Sequence, residues 1–419
     1  MSSGAVIVGA NQAGVQLAIS LREGGYTESI TLISDEGHLP YQRPPLSKGL
    51  LRGTADAESL ILRNEAFYSD NNITLVRSQK VIDVDRDGQG GRARTDTGQV
   101  HPFRHLALTV GARVRHIPVP GSDLAGVLYL RDMDDALSLA KELDDAHDVV
   151  VIGGGFIGLE AASAANEGDR HVTVVEAADR LMARAVDDRI SSYFLRAHRE
   201  RGIDVVLGSG VRELIGLDGR IQSVRLTDGR TLSANIVIVG IGVDPRTELA
   251  QSMGLACDNG ILVDEISVAS DGATVAAGDC ASMPNPTNNQ WGRCRIESVN
   301  NAVEQAKNAA RTLLGAPMPY QLTPWFWSNQ GNLKLQIVGD VSHPETVGVL
   351  RGDSSSDAFS VLFYHDERLV GAQCVNRPVD FVNVRTILGR TMTVPRTQAS
   401  DLTISLKNLA VDISTGAVA

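Results

Sequence analysis

VVVIGGGFIGLEAASAANEGDRHVTVVE, residues 149–176, decides the fold. The apolar run 149–152 suits a strand buried on both faces, and Gly153, Gly155 and Gly158 follow it in the G-x-G-x-x-G register. Each glycine has its own task. Gly153 allows a tight turn, Gly155 lets backbone approach a pyrophosphate, and Gly158 lets the next helix pack closely on the strand. That helix presents free N–H groups and its positive dipole end to phosphate oxygens. Glu176 closes the second strand about 20 residues later, where an acid accepts hydrogen bonds from the adenosine ribose hydroxyls. A 2′-phosphate would meet like charge there, which favours NAD over NADP, although Arg180 and Arg184 follow closely enough to keep NADP open. A glycine pattern alone also fits a βα turn that binds nothing. The strand, helix and terminal acid around this one point to a dinucleotide-binding βαβ unit.

Working outward, AVIVGANQAGVQLAISLREGGYTESITLISDE at 5–36 repeats the theme. Residues 6–8 read as the strand, Gly9 and Gly14 as the outer glycines, and Asp35 or Glu36 as the acid. Asn11 replaces the middle glycine; it tolerates unusual backbone angles, but its side chain crowds the pyrophosphate approach. Two dinucleotide units in one chain imply a flavin and a nicotinamide that exchange a hydride. TVAAGDCA at 274–281 reads as a short buried strand ending in Gly278 and Asp279; in two-dinucleotide flavoproteins an acid there contacts the ribityl and pyrophosphate part of FAD, while alone it is only a turn signal.

The expected fold is therefore α/β, with two Rossmann-like dinucleotide-binding domains and a C-terminal α+β domain, a glutathione-reductase-like architecture. The FAD-binding domain is discontinuous, 1–113 and 244–320, the NAD-binding domain 114–243 is inserted, and the α+β domain is 321–419. Segments 204–207, 221–226 and 235–239 read as strands that complete the NAD unit. Short alternating strands follow at 333–338, 346–351 and 359–364, then a helix at 379–388. The tail after Val394 carries one short apolar helical stretch and no legible chemistry.

At 419 residues the length prior gives about three domains. Hydrophobic residues make up 43% and charged residues 21%, and no apolar run approaches the roughly 20 residues that span a bilayer. The opening MSSGAVIVGA shows no basic and apolar leader, so the expectation is a cytoplasmic protein without membrane insertion. The net charge of −11 argues against nucleic acid as a partner. Cys257, Cys280, Cys294 and Cys374 lack metal-finger or C-x-x-C spacing, so buried thiols are expected and no metal.

Six blocks carry a resemblance: PYQRPPLSK at 40–48, GGGFIGLE at 153–160, AAGDCA at 276–281, RIESVNNAVEQA at 295–306, PWFWSNQ at 324–330 and VNRPVDF at 375–381. In this order, and nearly end to end, the chain resembles the FAD-dependent ferredoxin reductases of oxygenase systems, the putidaredoxin reductase and rhodocoxin reductase type. The resemblance implies that NADH gives a hydride to FAD and that the flavin passes electrons singly to a 2Fe-2S ferredoxin, which feeds a haem-thiolate monooxygenase or a Rieske dioxygenase. It puts Lys48 near flavin N5, paired with Glu160. A cation there stabilises the negative charge of reduced flavin, and an acid partner keeps it ionised. The bland alternative is a surface lysine and a solvent-facing helix glutamate.

The resemblance also assigns FAD contacts to Gly9, Asn11, Ala13, Gly14, Asp35, Arg43, Lys48, Val81, Arg131, Asp279 and Val299, with Glu297, Trp325 and Trp327 near the flavin face. Gly153, Gly155, Phe156, Ile157, Gly158, Glu176 and Gly242 form the NADH set. Trp325 and Trp327 alternate across Phe326, so a strand puts both on one side, as an aromatic wall or as a core pair. Besides Asn11, Val110 departs from the family, standing where a threonine is usual. Arg295, Lys307 and Arg311, with Arg43, are candidates for docking an acidic ferredoxin, although Lys307 and Arg311 equally fit a solvated helix face. Disulfide reductases and NADH peroxidases of this architecture use a cysteine early in the chain, and here the first is Cys257. A rubredoxin reductase, or a non-enzymatic NADH-responsive flavoprotein of the apoptosis-inducing-factor type, remain alternatives.

Overall fold

A computed structural model describes residues 4–87, 90–167, 169–341, 343, 345–390 and 392–413; the expected domain ends at 1–3 and 414–419 lie outside the described residues. The chain divides into two compact units. The first is Met1–Gln42, Glu58–Arg113 and Val243–Pro324; the second is Arg43–Ala57, Val114–Gly242 and Trp325–Ala419. Among the described residues no helix is long and apolar enough to cross a membrane.

In the first unit, five parallel strands lie in the order Val275–Ala276, His105–Leu108, Ala5–Val8, Ile30–Ile33, Ile73–Val76. All four residues of Ala5–Val8 are buried, as the sequence run AVIV requires of a central strand. Its neighbours follow it in the chain on one side and return from far along the chain on the other. That reversal puts a crevice beyond its carboxyl end, where open α/β sheets bind ligands. Helices Gln12–Glu23 and Val299–Leu313 cover one face, packing Leu17, Leu21, Ala306 and Ala309 on Ile7 and Leu32. An antiparallel sheet of Val81–Arg86, Gly91–Thr95 and Val100–Phe103 adds Val81, Ala93 and Phe103 to the core of the other face.

In the second unit the parallel sheet runs Asp204–Leu207, His171–Glu176, Asp148–Ile152, Ile236–Val239, Val127–Tyr129. The strand expected at 221–226 forms, as Arg220–Leu226, but in a separate antiparallel sheet with Val211–Leu217 and Thr231–Ser233. Its apolar residues Ile221, Val224 and Leu226 cover Val150 and Ile152 from one side. The C-terminal strands Trp325–Gln330, Leu333–Gly339, Arg368–Val375, Phe359–His365 and Val347–Gly352 form an antiparallel sheet backed by helix Pro378–Leu388. One core joins both parts of this unit: Phe194 and Tyr193 of helix Asp188–Glu200 pack with Phe359, and the Tyr193 hydroxyl donates to Asp357 Oδ1 at 2.9 Å.

The tail is tied down by a buried charge. Arg351 donates to the carbonyls of Ala399 at 3.1 Å and Ile404 at 2.8 Å and lies 3.5 Å from Asp380. Asp380 also accepts from Ser360 Oγ at 3.0 Å, so neither ion is left bare in the core.

Candidate functional site

The second unit carries the complete glycine turn. Gly153 ends strand Asp148–Ile152 with φ +109°, and a Cβ there would collide with the Gly240 carbonyl. Gly158, in the first turn of helix Phe156–Ala165, has no room for a Cβ against the Gly153 carbonyl, so strand and helix touch backbone to backbone. Gly155 is the N-cap, without a side-chain cap, and a Cβ on it would meet no protein atom within 4 Å. Uncapped N–H groups therefore face open space, which fits a pyrophosphate. Ile157, 46% exposed, stands beside that opening, whereas Phe156 turns back to pack on Phe326, ring centroids 4.7 Å apart and tilted by 45°.

Glu176 closes on this turn. Its Oε2 accepts the Gly154 N–H at 2.7 Å and its Oε1 the Ala178 N–H at 2.8 Å, which fixes the carboxylate and leaves acceptor capacity on both oxygens. Arg180 is committed elsewhere, to the carbonyls of Val186 at 2.9 Å and Ala183 at 2.6 Å and to Asp188 at 3.1 Å. It is thus withdrawn from any 2′-phosphate. Arg184 stays exposed, and its guanidinium lies 3.9 Å from where a Gly242 Cβ would be.

The first unit repeats the turn with two changes. Gly9 has φ +110° and Gly14 abuts the Gly9 carbonyl, matching Gly153 and Gly158. Asn11, expected to crowd a pyrophosphate, turns its side chain onto its own helix: Oδ1 accepts from Ala13 N at 3.0 Å and Gly14 N at 3.4 Å, and Nδ2 donates to the Thr109 carbonyl. The side chain leaves the approach but occupies two N–H groups that a glycine would leave to a ligand. Asp35 is the second change. Strand register pairs Val8 with Ile33 as it pairs Ile152 with Val175, so Ser34, not Asp35, occupies the place of Glu176. Asp35 Oδ2 instead lies 2.7 Å from Arg246, and Glu36 accepts from the Tyr41 hydroxyl at 2.5 Å. Gly278 adjoins the turn, a Cβ there lying 3.3 Å from Ala13 Cβ, so the GD signal and the fingerprint meet and Asp279 follows at the same end of the sheet. Val299 is the first residue of its helix, and Val81 is buried in the core. Sequence reading missed Thr109, the neighbour of Val110, whose buried hydroxyl donates to the Gly9 carbonyl at 2.8 Å and staples the turn.

Lys48 and Glu160 are paired, not solvent-facing. Lys48 follows the short helix Pro44–Ser47; its Nζ lies 2.6 Å from Glu160 Oε2 and 2.9 Å from the Pro44 carbonyl. Glu160, 2% exposed, also accepts from Ser47 Oγ at 2.5 Å and Ser328 Oγ at 2.7 Å, so the buried carboxylate has three donors. Such a set fixes the carboxylate and the lysine in place. Arg43 donates to the Arg131 carbonyl at 2.7 Å in the same unit.

Trp325 and Trp327 share one side of strand Trp325–Gln330, stacked at 5.4 Å and 30°, and both are half-buried. Arg385 lies over Trp325 at 5.8 Å from the ring centroid. Of the docking candidates, Arg295 is held inside: its side chain is 10% exposed, paired with Glu297 and donating to the Asp279 carbonyl at 3.2 Å. That removes it from docking, and Glu297 is its partner. Lys307 lies 2.8 Å from Glu304, while Arg311 is exposed. A further group was not signalled by the sequence: His343, Glu345 and His365 bring ligand-capable atoms within 4.8 Å of one another.

Residues 4–306 match the family model of pyridine nucleotide-disulphide oxidoreductases, and residues 325–410 match that of the reductase C-terminal domain. The chain belongs to the pyridine nucleotide-disulphide oxidoreductase family. Within it, the chain is 44% identical to rhodocoxin reductase of Rhodococcus erythropolis, covering 96% of this chain and 93% of the relative. It is 38% identical to the ferredoxin--NAD(+) reductase component of the p-cumate 2,3-dioxygenase system of Pseudomonas putida, covering 97% and 98%. The covalent putidaredoxin reductase-putidaredoxin complex has a chain that superposes with a TM-score of 0.92 at 35% identity, covering 99% of each.

The disulphide chemistry in the family's name finds no prepared thiolate at Cys257, Cys280 or Cys374. Burial pushes the Cys280 thiol up to about 11 and the Cys374 thiol up to about 12, and it also raises that of Cys257. A protonated thiol is a poor nucleophile.

Proposed function

We propose that this chain is an FAD-dependent reductase that oxidises NADH and delivers electrons to a 2Fe-2S ferredoxin serving an oxygenase. The observation that carries the reading is its likeness, over nearly the whole of both chains, to reductases of that kind. Gly9, Ala13, Gly14, Val81, Asp279 and Val299 would hold FAD in the first unit, and Gly155, Glu176 and Gly242 would hold NADH in the second. When bound, FAD supplies two-electron acceptance and one-electron release, which a one-electron acceptor requires.

The chain's own residues bind, aim and shield. Glu176 accepts from the ribose hydroxyls, and the open N-terminus at Gly155 takes the pyrophosphate. Glu160 holds Lys48 in place, and the role of that cation is to favour the negative charge of the reduced cofactor. Trp325 and Trp327 exclude water from the transfer. Arg311, with Lys307, steers an acidic ferredoxin despite the net charge of −11. The reaction draws on NADH, and we place the protein in the cytoplasm.

The test is anaerobic stopped-flow absorbance with NADH and NADPH separately, then with a 2Fe-2S ferredoxin or a rubredoxin. Bleaching of the flavin by NADH and its reoxidation by the ferredoxin are expected. Reoxidation by rubredoxin alone would move the acceptor assignment. Reduction that no iron–sulfur carrier reverses, with NADH-dependent dimerisation, would point to a signalling flavoprotein.

A further inference from the structure

Strand Trp325–Gln330 has two working faces. Opposite the indoles, Phe326, Ser328 and Gln330 alternate toward the protein interior, and a line of hydrogen bonds leads from them to both ends of the second unit's core. His198 Nε2 lies 2.7 Å from Gln330 Oε1, Gln330 Nε2 lies 3.3 Å from Ser328 Oγ, and Ser328 Oγ lies 2.7 Å from Glu160 Oε1. Glu160 Oε2 then meets Lys48 at 2.6 Å. Ser328, Gln330 and His198 have no exposure to solvent.

The direction of every bond is fixed from one end. A carboxylate only accepts, so the single hydroxyl hydrogen of Ser328 goes to Glu160. The Ser328 oxygen must then accept, which turns the Gln330 amide nitrogen toward it and the Gln330 carbonyl toward His198. His198 therefore carries its hydrogen on Nε2. Its Nδ1 is buried with no hydrogen-bond partner among the described residues, so a second proton would be an unanswered charge in the core. Burial lowers the imidazole pKa accordingly, against the Gln330 hydrogen bond that raises it and with Arg201 nearby that lowers it further. A flipped Gln330 amide or the other His198 tautomer would each break a buried hydrogen bond.

We propose that Ser328, Gln330 and His198 are positioning residues: a one-way donor chain that holds the Glu160 carboxylate aimed, and through it fixes the place of Lys48. His198, on helix Asp188–Glu200, is the neutral stop of the chain. The consequence for the flavin rests on the role of Lys48 proposed above; the chain itself does not.

The experiment uses the whole chain with FAD bound and four variants: Ser328→Ala, Gln330→Met, the hydroxyl-retaining Ser328→Thr and, for band assignment, Glu160→Gln. Two readouts bypass the flavin. Nitrogen-15 NMR should show His198 as the Nε2–H tautomer in the wild type and lose that preference in Gln330→Met. Infrared difference spectra, with the Glu160 band assigned by Glu160→Gln, should show carboxyl protonation favoured about tenfold to hundredfold in Ser328→Ala, the loss of one charge-assisted donor, and restored in Ser328→Thr. Near-UV circular dichroism and FAD content verify that each variant is folded, and Ser328→Thr keeps the test decisive if Ser328→Ala is not. An unchanged Glu160 band in folded Ser328→Ala, or a titrating His198 in the wild type, would overturn the chain. The midpoint potential of bound FAD is read in parallel. A potential that follows Glu160 protonation across the variants supports both the chain and the Lys48 role, whereas an altered Glu160 band with a constant potential sustains the chain and rejects that role.

Discussion

Glu176 holds the Gly154 and Ala178 N–H groups with one carboxylate, and each oxygen keeps acceptor capacity for the proposed ribose contact. Glu176→Ala should raise the KM for NADH about tenfold or more, because hydrogen bonds to a charged group contribute roughly 1.5–3 kcal/mol, and should narrow the preference for NADH over NADPH. Steady-state kinetics with both nucleotides check this; an unchanged KM ratio would remove Glu176 from ribose recognition. Trp327→Ala opens the indole stack at 5.4 Å and should slow flavin reduction by NADH or turnover with ferredoxin. Equal rates in both assays would leave the stack a structural pair. At this scale the sequence was a good guide to residue types and a poor one to partners. Arg295 looked like a free cation and is folded back onto Glu297 and the Asp279 carbonyl, because nothing in a linear pattern reports what a long side chain folds back onto.

The two glycine turns are the elements whose geometry can be tested cleanly. Gly155→Ala places a methyl where no protein atom stands within 4 Å, on a backbone of φ −82° that any residue adopts. It should leave the melting temperature unchanged and raise the KM for NADH, since the methyl enters the phosphate approach. Gly158→Ala drives a methyl into the Gly153 carbonyl and should instead cost about 1–3 kcal/mol of stability, read by denaturant unfolding. In the other turn, Asn11→Gly removes a cap at a cost of a few tenths of a kcal/mol and frees the Ala13 and Gly14 N–H groups, so FAD should dissociate more slowly on dilution. Faster FAD loss would show that the asparagine itself serves the cofactor. The outer glycines of both patterns were legible because Gly9, Gly14, Gly153 and Gly158 each answer a steric demand; the cap was not, because only the folded helix shows which way the asparagine turns.

At the scale of the whole molecule, the buried histidine sets a pH response. The folded pKa of His198 lies below its unfolded value of about 6.5, so below that pH the unfolded chain binds a proton the native state refuses. Its contribution is therefore intact above about pH 6.5 and is lost as pH falls below it. His171 acts in the opposite sense: its pKa is raised by a hydrogen bond to Asp204 and the nearby Asp148, so its contribution is present at low pH and lost as pH rises through the folded value. With its side chain 59% exposed, that second effect is screened and small. His198→Gln should flatten the fall in melting temperature between pH 7 and pH 5; a slope equal to the wild type's would place the acid sensitivity elsewhere.

By itself the sequence determined the two βαβ units, the order of the blocks along the chain and the residue types at their turns, since glycine spacing, buried β-branched runs and block order are local or linear properties. Tertiary structure alone decided which distant residues share a core. Residues 43–57 join the second unit because Lys48 and Ser47 close on Glu160 and Arg52 reaches Glu167. Strand Trp325–Gln330 brings Ser328 to the same carboxylate, and the tail is fastened by Arg351 rather than by any pattern of its own. Hydrogen-bond direction and burial depend on separations through space, and no spacing along a chain encodes them.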